Sequence, residues 1–499
     1  MPKANLYNYL SKFIDINRDK DLFILPNEKN ISYDSFGIAI NKIHKNLLNR
    51  FIKPGDKVLV QNEKSPLVIA LWLACLKLGA IYIPLNSAYT EEELKFFISD
   101  SKPNLIVSDK IKKNDIKKIS SKKIELLNLN KNISDPYKRN SEKKEINKSY
   151  ESNIDDTAAI LYTSGTTGKP KGAKLSHKNL YTNAKTLLGI WKFDSKDTLL
   201  HALPIYHVHG LFVAIHCVLM SGSSMIFLPK FEPKEVINYL PSATVMMGVP
   251  TFYSRLLNQK KLDKQITINV RLFISGSAPL QTETWKKFKK ITNHEILERY
   301  GMSETGMITS NNYLGKRYPG SVGYVLPGIK IKIKNLNKKN IGELYVKGPN
   351  VFNGYLNNDE KTKKEFSTDG YFKTGDLVSK SKDGLITIIG RSKDLIISGG
   401  LNIYPKEIEN LLNKYPGIEE SVVVGIPDSD FGEKVVALVK FEKNLIKIEK
   451  DKIYKYLNKK IANFKKPKEI IIVNEIPKNS MGKVQKFLIR KKIIKKIII

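Results

Sequence analysis

The stretch "LYTSGTTGKPKGAKLSH", residues 161–177, decides how the rest of the chain is read. Gly165 and Gly168 permit positive φ and close approach of the backbone to a ligand. Thr163, Ser164, Thr166 and Thr167 bring hydroxyls, and Lys169 and Lys171 bring charge. Successive N–H groups and cations of this kind form a cradle for polyphosphate. The P-loop of nucleoside triphosphatases is excluded, because it needs four residues between its glycines and a hydroxyl directly after the lysine. Here two residues separate Gly165 from Gly168, and Pro170 follows Lys169. Before the loop, "TAAILYT" (157–163) reads as an apolar strand; after it, Ser176 is placed to cap a helix through "NLYTNAKTLL" (179–188).

Outward from the loop the same alternation recurs. "DKVLVQ" (56–61) precedes an apolar helix over 67–78, and "AIYIPL" (80–85) follows it. "ATVMMGV" (243–249) leads to "TFYSRLL" (251–257), and "RLFISGS" (271–277) leads to a turn. Strands alternating with helices predict an α/β fold with parallel-rich sheets. The Lys-, Asn- and Ser-rich 102–150 stretch reads as a solvated surface segment. Beyond about residue 320 short strands take over ("IKIKIKN", "GELYVKG", "GLITIIG"), predicting a small β-barrel-like part. Past "GRSKDLIISGG" (390–400) come a helix, "PKEIENLLNKY", and two strands, "ESVVVGI" and "VVALVKF". The expected organisation is a large N-terminal domain over 1–392 and a small, mobile α+β C-terminal domain over 393–499.

The formal charge of +35 raises a nucleic-acid or membrane partner. Only nine of the 84 basic residues are arginine, the residue that base readers favour, and the lysines are dispersed. Lys, Ile and Asn are enriched together, as their A/T-rich codons would make them, so no nucleic-acid partner is expected. The field does favour anionic substrates. No signal peptide is expected, because "MPKANLYNYLSKFIDIN" (1–17) lacks an apolar h-region, and no stable membrane insertion, because "LVIALWLACL" (67–76) is too short to span a bilayer. Cys75 and Cys217 lie singly in apolar runs, as reduced core residues of a cytoplasmic protein.

Further motifs follow in order: "LPIYHVHGL" (203–211), "SGSAPL" (275–280), "ERYGMSET" (298–305), "YFKTGDL" (371–377), "GRSKDLIISGG" and "PKNSMGKVQK" (477–486). Together they resemble the adenylate-forming superfamily of acyl-CoA synthetases, peptide-synthetase adenylation domains and luciferases, over nearly the whole chain. The resemblance implies that a carboxylate attacks the α-phosphorus of ATP and that CoA then takes the acyl group. The substrate is the nucleophile, so the protein has only to align it and neutralise phosphate charge. The 163–171 cradle would hold ATP, and Glu304, beside Ser303 and Thr305, would hold Mg²⁺. Asp376 would accept the ribose hydroxyls and Arg391 donate to ribose or phosphate. Gly276, Ser277 and Ala278 would wall the adenine, Tyr300 would stack on it, and Gly301, Met302 and Ser303 would continue the nucleotide wall. Lys483 would enter the cleft for adenylation and withdraw as the small domain turns about Lys393. Ser398, Gly399 and Gly400 would then line a tunnel for the CoA thiol. The same position makes Lys483 a candidate target for a lysine acetyltransferase and deacetylase.

A narrower resemblance, to malonyl-CoA synthetases, runs through "LPIYHVHGLFVA", "ATVMMGVPTFYSRLL", "HEILERYGMSET" and "SGGLNIYPKEIE". It implies that Arg299 binds the far carboxylate of malonate, with His207 and Ser277 nearby. The competing reading pairs Arg299 with Glu295 or Glu298. His207 reads equally as a gate between half-reactions, and His209 and His216 read as structural. Methylmalonate, or another short-chain or aryl acid, stays open.

Overall fold

The computed structural model describes residues 5–111, 124–139, 148–163, 170–338, 340–399, 401–442, 450–479 and 482–495. Ser164, Gly165, Thr166, Thr167, Gly168, Lys169 and Gly400 lie outside the described residues.

Two sheets build the large N-terminal domain. In the nine-stranded sheet the strands Leu297–Met302, Leu272–Ser275, Val245–Gly248, Thr198–His201, Ser224–Phe227 and Asp21–Ile24 are neighbours in that order and run parallel. In the six-stranded sheet Leu105–Ser108, Lys57–Gln61, Ile81–Pro84 and Thr157–Thr163 are parallel neighbours. Its last strand, Lys171–Ser176, returns antiparallel to Thr157–Thr163. Most of these strands are apolar on both faces, as parallel strands covered by helices must be. Pro66–Leu78 is buried along nearly its whole length, which explains a helix with so little amphipathicity. Ser65 caps it, and Gly79 ends it in the left-handed conformation at φ 83°. Ser176 caps His177–Ile190 as expected, in a reciprocal pair with Asn179.

The 102–150 stretch departs from expectation. It contains Leu105–Ser108, buried at every position, and Glu125–Leu127, two strands of the six-stranded sheet. "LIVS" is too short to stand out against flanking lysines and asparagines, although it fills a buried slot.

Four antiparallel strands follow, Lys330–Lys334, Ile341–Lys347, Phe372–Lys380 and Ile386–Arg391. A bridge between Gly323 and Ile386 joins them to the antiparallel edge of the large sheet, giving the barrel-like part its curl. The smaller C-terminal domain carries a separate sheet around Ile418–Asp428 and Gly432–Phe441, with its own apolar clusters on the two faces. Cys75 and Cys217 are free and buried. No described helix is long and apolar enough to cross a membrane.

Candidate active site

In open α/β sheets ligands bind beyond the carboxyl ends of the strands. Four adjacent strands end along one edge here. After Thr198–His201 the chain carries His207 and His209; after Val245–Gly248, Thr251; after Leu272–Ser275, Gly276–Ala278; and Leu297–Met302 itself carries Arg299 and Tyr300 ahead of Glu304.

The two strands that flank residues 164–169 meet at this edge. Thr163 and Lys171 are register partners at the mouth of the hairpin. Thr163 Oγ1 donates to Glu304 Oε1 at 3.3 Å, and the Tyr355 hydroxyl donates to the same oxygen at 3.1 Å. Lys171 lies 5.6 Å from the centre of the Tyr355 ring. Desolvation, then the charge of Lys361, lowers the Lys171 pKa. Glu304 is buried, and among the described residues no three or more His, Cys, Asp and Glu side chains are grouped so as to hold a metal ion. One carboxylate among hydroxyls fits a Mg²⁺ held mostly by water and phosphate oxygens, not an all-protein cage.

Asp376 and Arg391 face each other across antiparallel strands, and Arg391 Nε lies 3.0 Å from Asp376 Oδ1. The Tyr300 hydroxyl donates to Asp376 Oδ2. Burial raises the Asp376 pKa, with Arg391 opposing it. Each carboxylate oxygen retains a further lone pair, so the pair is fixed and still able to accept. Gly301 is a glycine by necessity, because a Cβ there would lie 2.1 Å from the Gly306 carbonyl oxygen. Met302 packs on the core, and Ser303 lines a narrow cavity with Asn183, Val208 and Phe212.

Lys483 reaches this cluster from the C-terminal domain. A Cβ on Gly482 would lie 2.9 Å from Thr251 Cγ2, so the loop rests on the large domain. Desolvation, then the charge of Arg391, lowers the Lys483 pKa; Asp376 and Glu304 raise it, although the side chain stays exposed across the open cleft. Lys393 lies in a single turn, Ser392–Asp394, directly after Arg391. Ser398 and Gly399 are not brought to the cleft: Ser398 pairs with Gly432, and Gly399 N donates to Phe431 O at 2.8 Å, within the C-terminal sheet.

The other part of the edge holds buried polar atoms without partners among the described residues. Arg299 is only 4% exposed, and its Nε and Nη2 have no hydrogen-bond partner among the described residues. Pairing with glutamate is overturned. Glu295 takes Lys289 at 2.7 Å, while Glu298 accepts from Gly320 N at 2.8 Å and lies one residue away on the strand, where side chains alternate faces. The guanidinium lies against Gly276, where a Cβ would be 2.3 Å from its Cζ. Gly276 is therefore required by Arg299, whatever it offers adenine. Ser277 is held at φ 71°, a conformation unusual for a residue with a side chain. Its Oγ lies 3.3 Å from His209 Nδ1. Ala278 is half-buried beside it. The Nε2 atoms of His207 and His209 are also buried without partners among the described residues. Burial pulls the His207 pKa down to about 4. His209 thus shares with its neighbour in the His-Val-His doublet a buried nitrogen without a partner among the described residues. His216, by contrast, accepts from Trp72 Nε1 at 3.2 Å deep in the core.

The family model for AMP-binding enzymes matches residues 13–356, and that for the AMP-binding enzyme C-terminal domain matches 407–483. The chain belongs to the AMP-binding enzymes. Malonate–CoA ligase of Arabidopsis thaliana is 36% identical over 85% of this chain and 75% of its own length. Long-chain-fatty-acid–CoA ligase of Bacillus subtilis is 32% identical over 87% and 85%. The crystal structure of ATP-bound MatB from Rhodopseudomonas palustris superposes with a TM-score of 0.92 at 43% identity, covering 98% of this chain and 99% of that one. This AMP-binding enzyme is an AMP-forming acyl-CoA synthetase, an acid–CoA ligase that uses ATP and CoA. Its relatives act on different acids, so the acid must be argued from the site.

Proposed function

We propose that the enzyme converts malonate, ATP and CoA to malonyl-CoA, AMP and pyrophosphate. The observation that carries this reading is the buried guanidinium of Arg299, whose Nε and Nη2 have no partner among the described residues. An uncompensated buried cation is costly, and removing one partner of such a pair costs about 3–5 kcal/mol. A substrate with a second carboxylate supplies the missing counter-charge in bidentate geometry. A fatty acid would supply only apolar atoms. The similarity to a malonate–CoA ligase supports the same reading.

In the first step the proximal carboxylate oxygen bonds to the α-phosphorus as the bond from that phosphorus to pyrophosphate breaks. Lys483 and Arg391 offset the charge that develops there, and Asp376 holds the ribose. Mg²⁺ beside Glu304 would neutralise phosphate charge when bound. In the second step the CoA thiol sulfur attacks the acyl carbon, AMP departs and the thiol proton is released. The domain boundary at 392–393, with Lys393 as pivot and 398–400 at the CoA tunnel, belongs to the same proposal.

Arg299→Met keeps bulk and removes the cation. It should lower kcat/KM for malonate by roughly two to three powers of ten. Butyrate turnover should fall far less or rise, and KM for ATP should stay nearly constant. Parallel loss on malonate and butyrate would return Arg299 to a structural role and reassign the acid.

A further inference from the structure

Glu304 is gripped twice by one segment. Phe352 N donates to its carbonyl oxygen at 2.8 Å, and three residues on, the Tyr355 hydroxyl donates to its carboxylate at 3.1 Å. That segment lies beside the edge strand Lys171–Ser176: Ala173 and Tyr355 form an antiparallel bridge, Leu356 N donates to Gly172 O at 2.7 Å, and Lys174 N donates to Gly354 O at 3.0 Å. Tyr355 N donates to Thr362 Oγ1 at 2.9 Å. Gly354, at φ 111°, leaves room for that threonine, since a Cβ there would lie 2.7 Å from Thr362 Cγ2. The Tyr355 ring packs edge-on against Phe352 with centroids 4.9 Å apart, and Phe352 in turn packs on Phe366 and Phe372. With backbone and ring both fixed and the residue only 4% exposed, the hydroxyl has one direction to point. Two hydroxyls converge there on the same oxygen. Tyr355 and Thr163 both donate to Glu304 Oε1, and among the described residues no donor reaches Oε2. Lys171 Nζ lies 5.6 Å from the centre of the Tyr355 ring, so one aromatic residue meets a candidate metal ligand with its hydroxyl and a candidate phosphate-binding lysine with its face.

We propose that Tyr355 is a positioning residue for the metal: by holding Oε1 it fixes the Glu304 carboxylate so that Oε2 is the oxygen presented to Mg²⁺. This rests on the reading that Glu304 holds the metal. A carboxylate free to turn about its last bond offers either oxygen, and it loses that freedom when a small cation that demands octahedral geometry takes one of them. A hydroxyl on the other oxygen removes the freedom beforehand, which is how the outer hydrogen-bond partners of metal ligands raise affinity. The Thr163 contact is the longer of the two, so Tyr355 supplies more of the restraint. The Lys171 contact depends on the ring and not on the hydroxyl, so substitution separates the two.

Tyr355→Phe keeps the ring, its packing and the seat of Lys171 and removes only the hydroxyl. Calorimetry of ATP binding without acid or CoA involves no turnover and reads the metal contact directly. In Tyr355→Phe the affinity for ATP in EDTA should stay as in the wild type, whereas the affinity for ATP with saturating Mg²⁺ should fall roughly 10-fold. Glu304→Gln should weaken the Mg²⁺ complex at least as much, and adding Tyr355→Phe to it should weaken it no further, because the hydroxyl acts only through the carboxylate. Equal losses with EDTA and with Mg²⁺ would make Tyr355 structural and overturn the proposal, as would a full second loss in the double variant. A Glu304→Gln enzyme that binds the Mg²⁺ complex like the wild type overturns the metal reading itself, whereas a loss in Glu304→Gln that Tyr355→Phe does not share overturns only this inference.

Discussion

Lys483 stands in a crowded field. Burial, then the charges of Arg391 and Lys393, lowers the pKa of its ammonium while Asp376 and Glu304 raise it, so its charge is set together with that of the groups proposed to handle the nucleotide. Lys483→Ala should reduce ATP–pyrophosphate exchange by about 100-fold or more, yet leave conversion of supplied malonyl-adenylate to the thioester nearly unchanged. Equal loss in both assays would remove the lysine from a step-specific role. Acetylation should act like the alanine change, since it removes the same charge. Glu298 makes a different residue-scale prediction. Burial pushes its pKa up to about 8, against the N–H of Gly320 and the Lys406 charge, from an ordinary 4.5. The folded chain then holds a proton that the unfolded chain has released between those values. Stability from this group is complete at low pH and is lost as pH rises through about 8, by at most about 1.4 kcal/mol per unit. Glu298→Gln cannot titrate, so denaturant unfolding should show its stability gaining on the wild type between about pH 5 and 8. Parallel curves would mean that Lys406 keeps Glu298 ionised throughout.

At the scale of elements, what was legible is what local pattern encodes. "TAAILYT", "RLFISGS" and the 67–78 helix have apolar runs of the right length and recognisable caps, and they form as read. Glu304, Asp376 and Arg391 sat in quoted motifs, and the antiparallel register Asp376↔Arg391 makes their pairing almost automatic. Strand order was not legible, since Thr198–His201 lies between Val245–Gly248 and Ser224–Phe227 and only long-range packing chooses that order. Nor was convergence from separate elements. Tyr355 belongs to no motif, yet it donates to Glu304, and Thr251 supports the Lys483 loop from a helix more than two hundred residues earlier. The contact between Ser277 and His209, sixty-eight residues apart, escaped for the same reason, since it depends on the unusual φ at Ser277.

At the scale of the whole molecule, the described residues of the two domains meet through polar contacts, among them an exposed Lys287–Glu442 pair at 3.9 Å, that define which arrangement the structure holds. Asn337 Nδ2, in the turn between Lys330–Lys334 and Ile341–Lys347, donates to the Tyr404 hydroxyl at 2.7 Å. Tyr404 immediately precedes the first helix of the C-terminal domain, Pro405–Leu412, and is itself buried. Nearby, Lys406 feels the charge of Glu298 in the large domain. These contacts coexist with Gly482 resting on Thr251, and hence with Lys483 in the cleft. If the small domain turns about Lys393 between half-reactions, the Asn337–Tyr404 bond must break in the second. A neutral hydrogen bond is worth about 1 kcal/mol, so its loss shifts the balance between arrangements about fivefold. Tyr404→Phe should therefore slow pyrophosphate exchange severalfold and leave thioester formation from supplied adenylate equal or faster. Asn337→Ala should move exchange in the same direction, with any further loss coming from Asn337 Oδ1, which accepts from Ile341 N at 3.1 Å within the turn. The comparison separates a positioning contact from a merely structural one, since loss of folding lowers both half-reactions together. Unchanged exchange in both variants would mean that the adenylation arrangement is held by other contacts, such as Gly482 on Thr251, Lys287–Glu442 and the charges around Lys483.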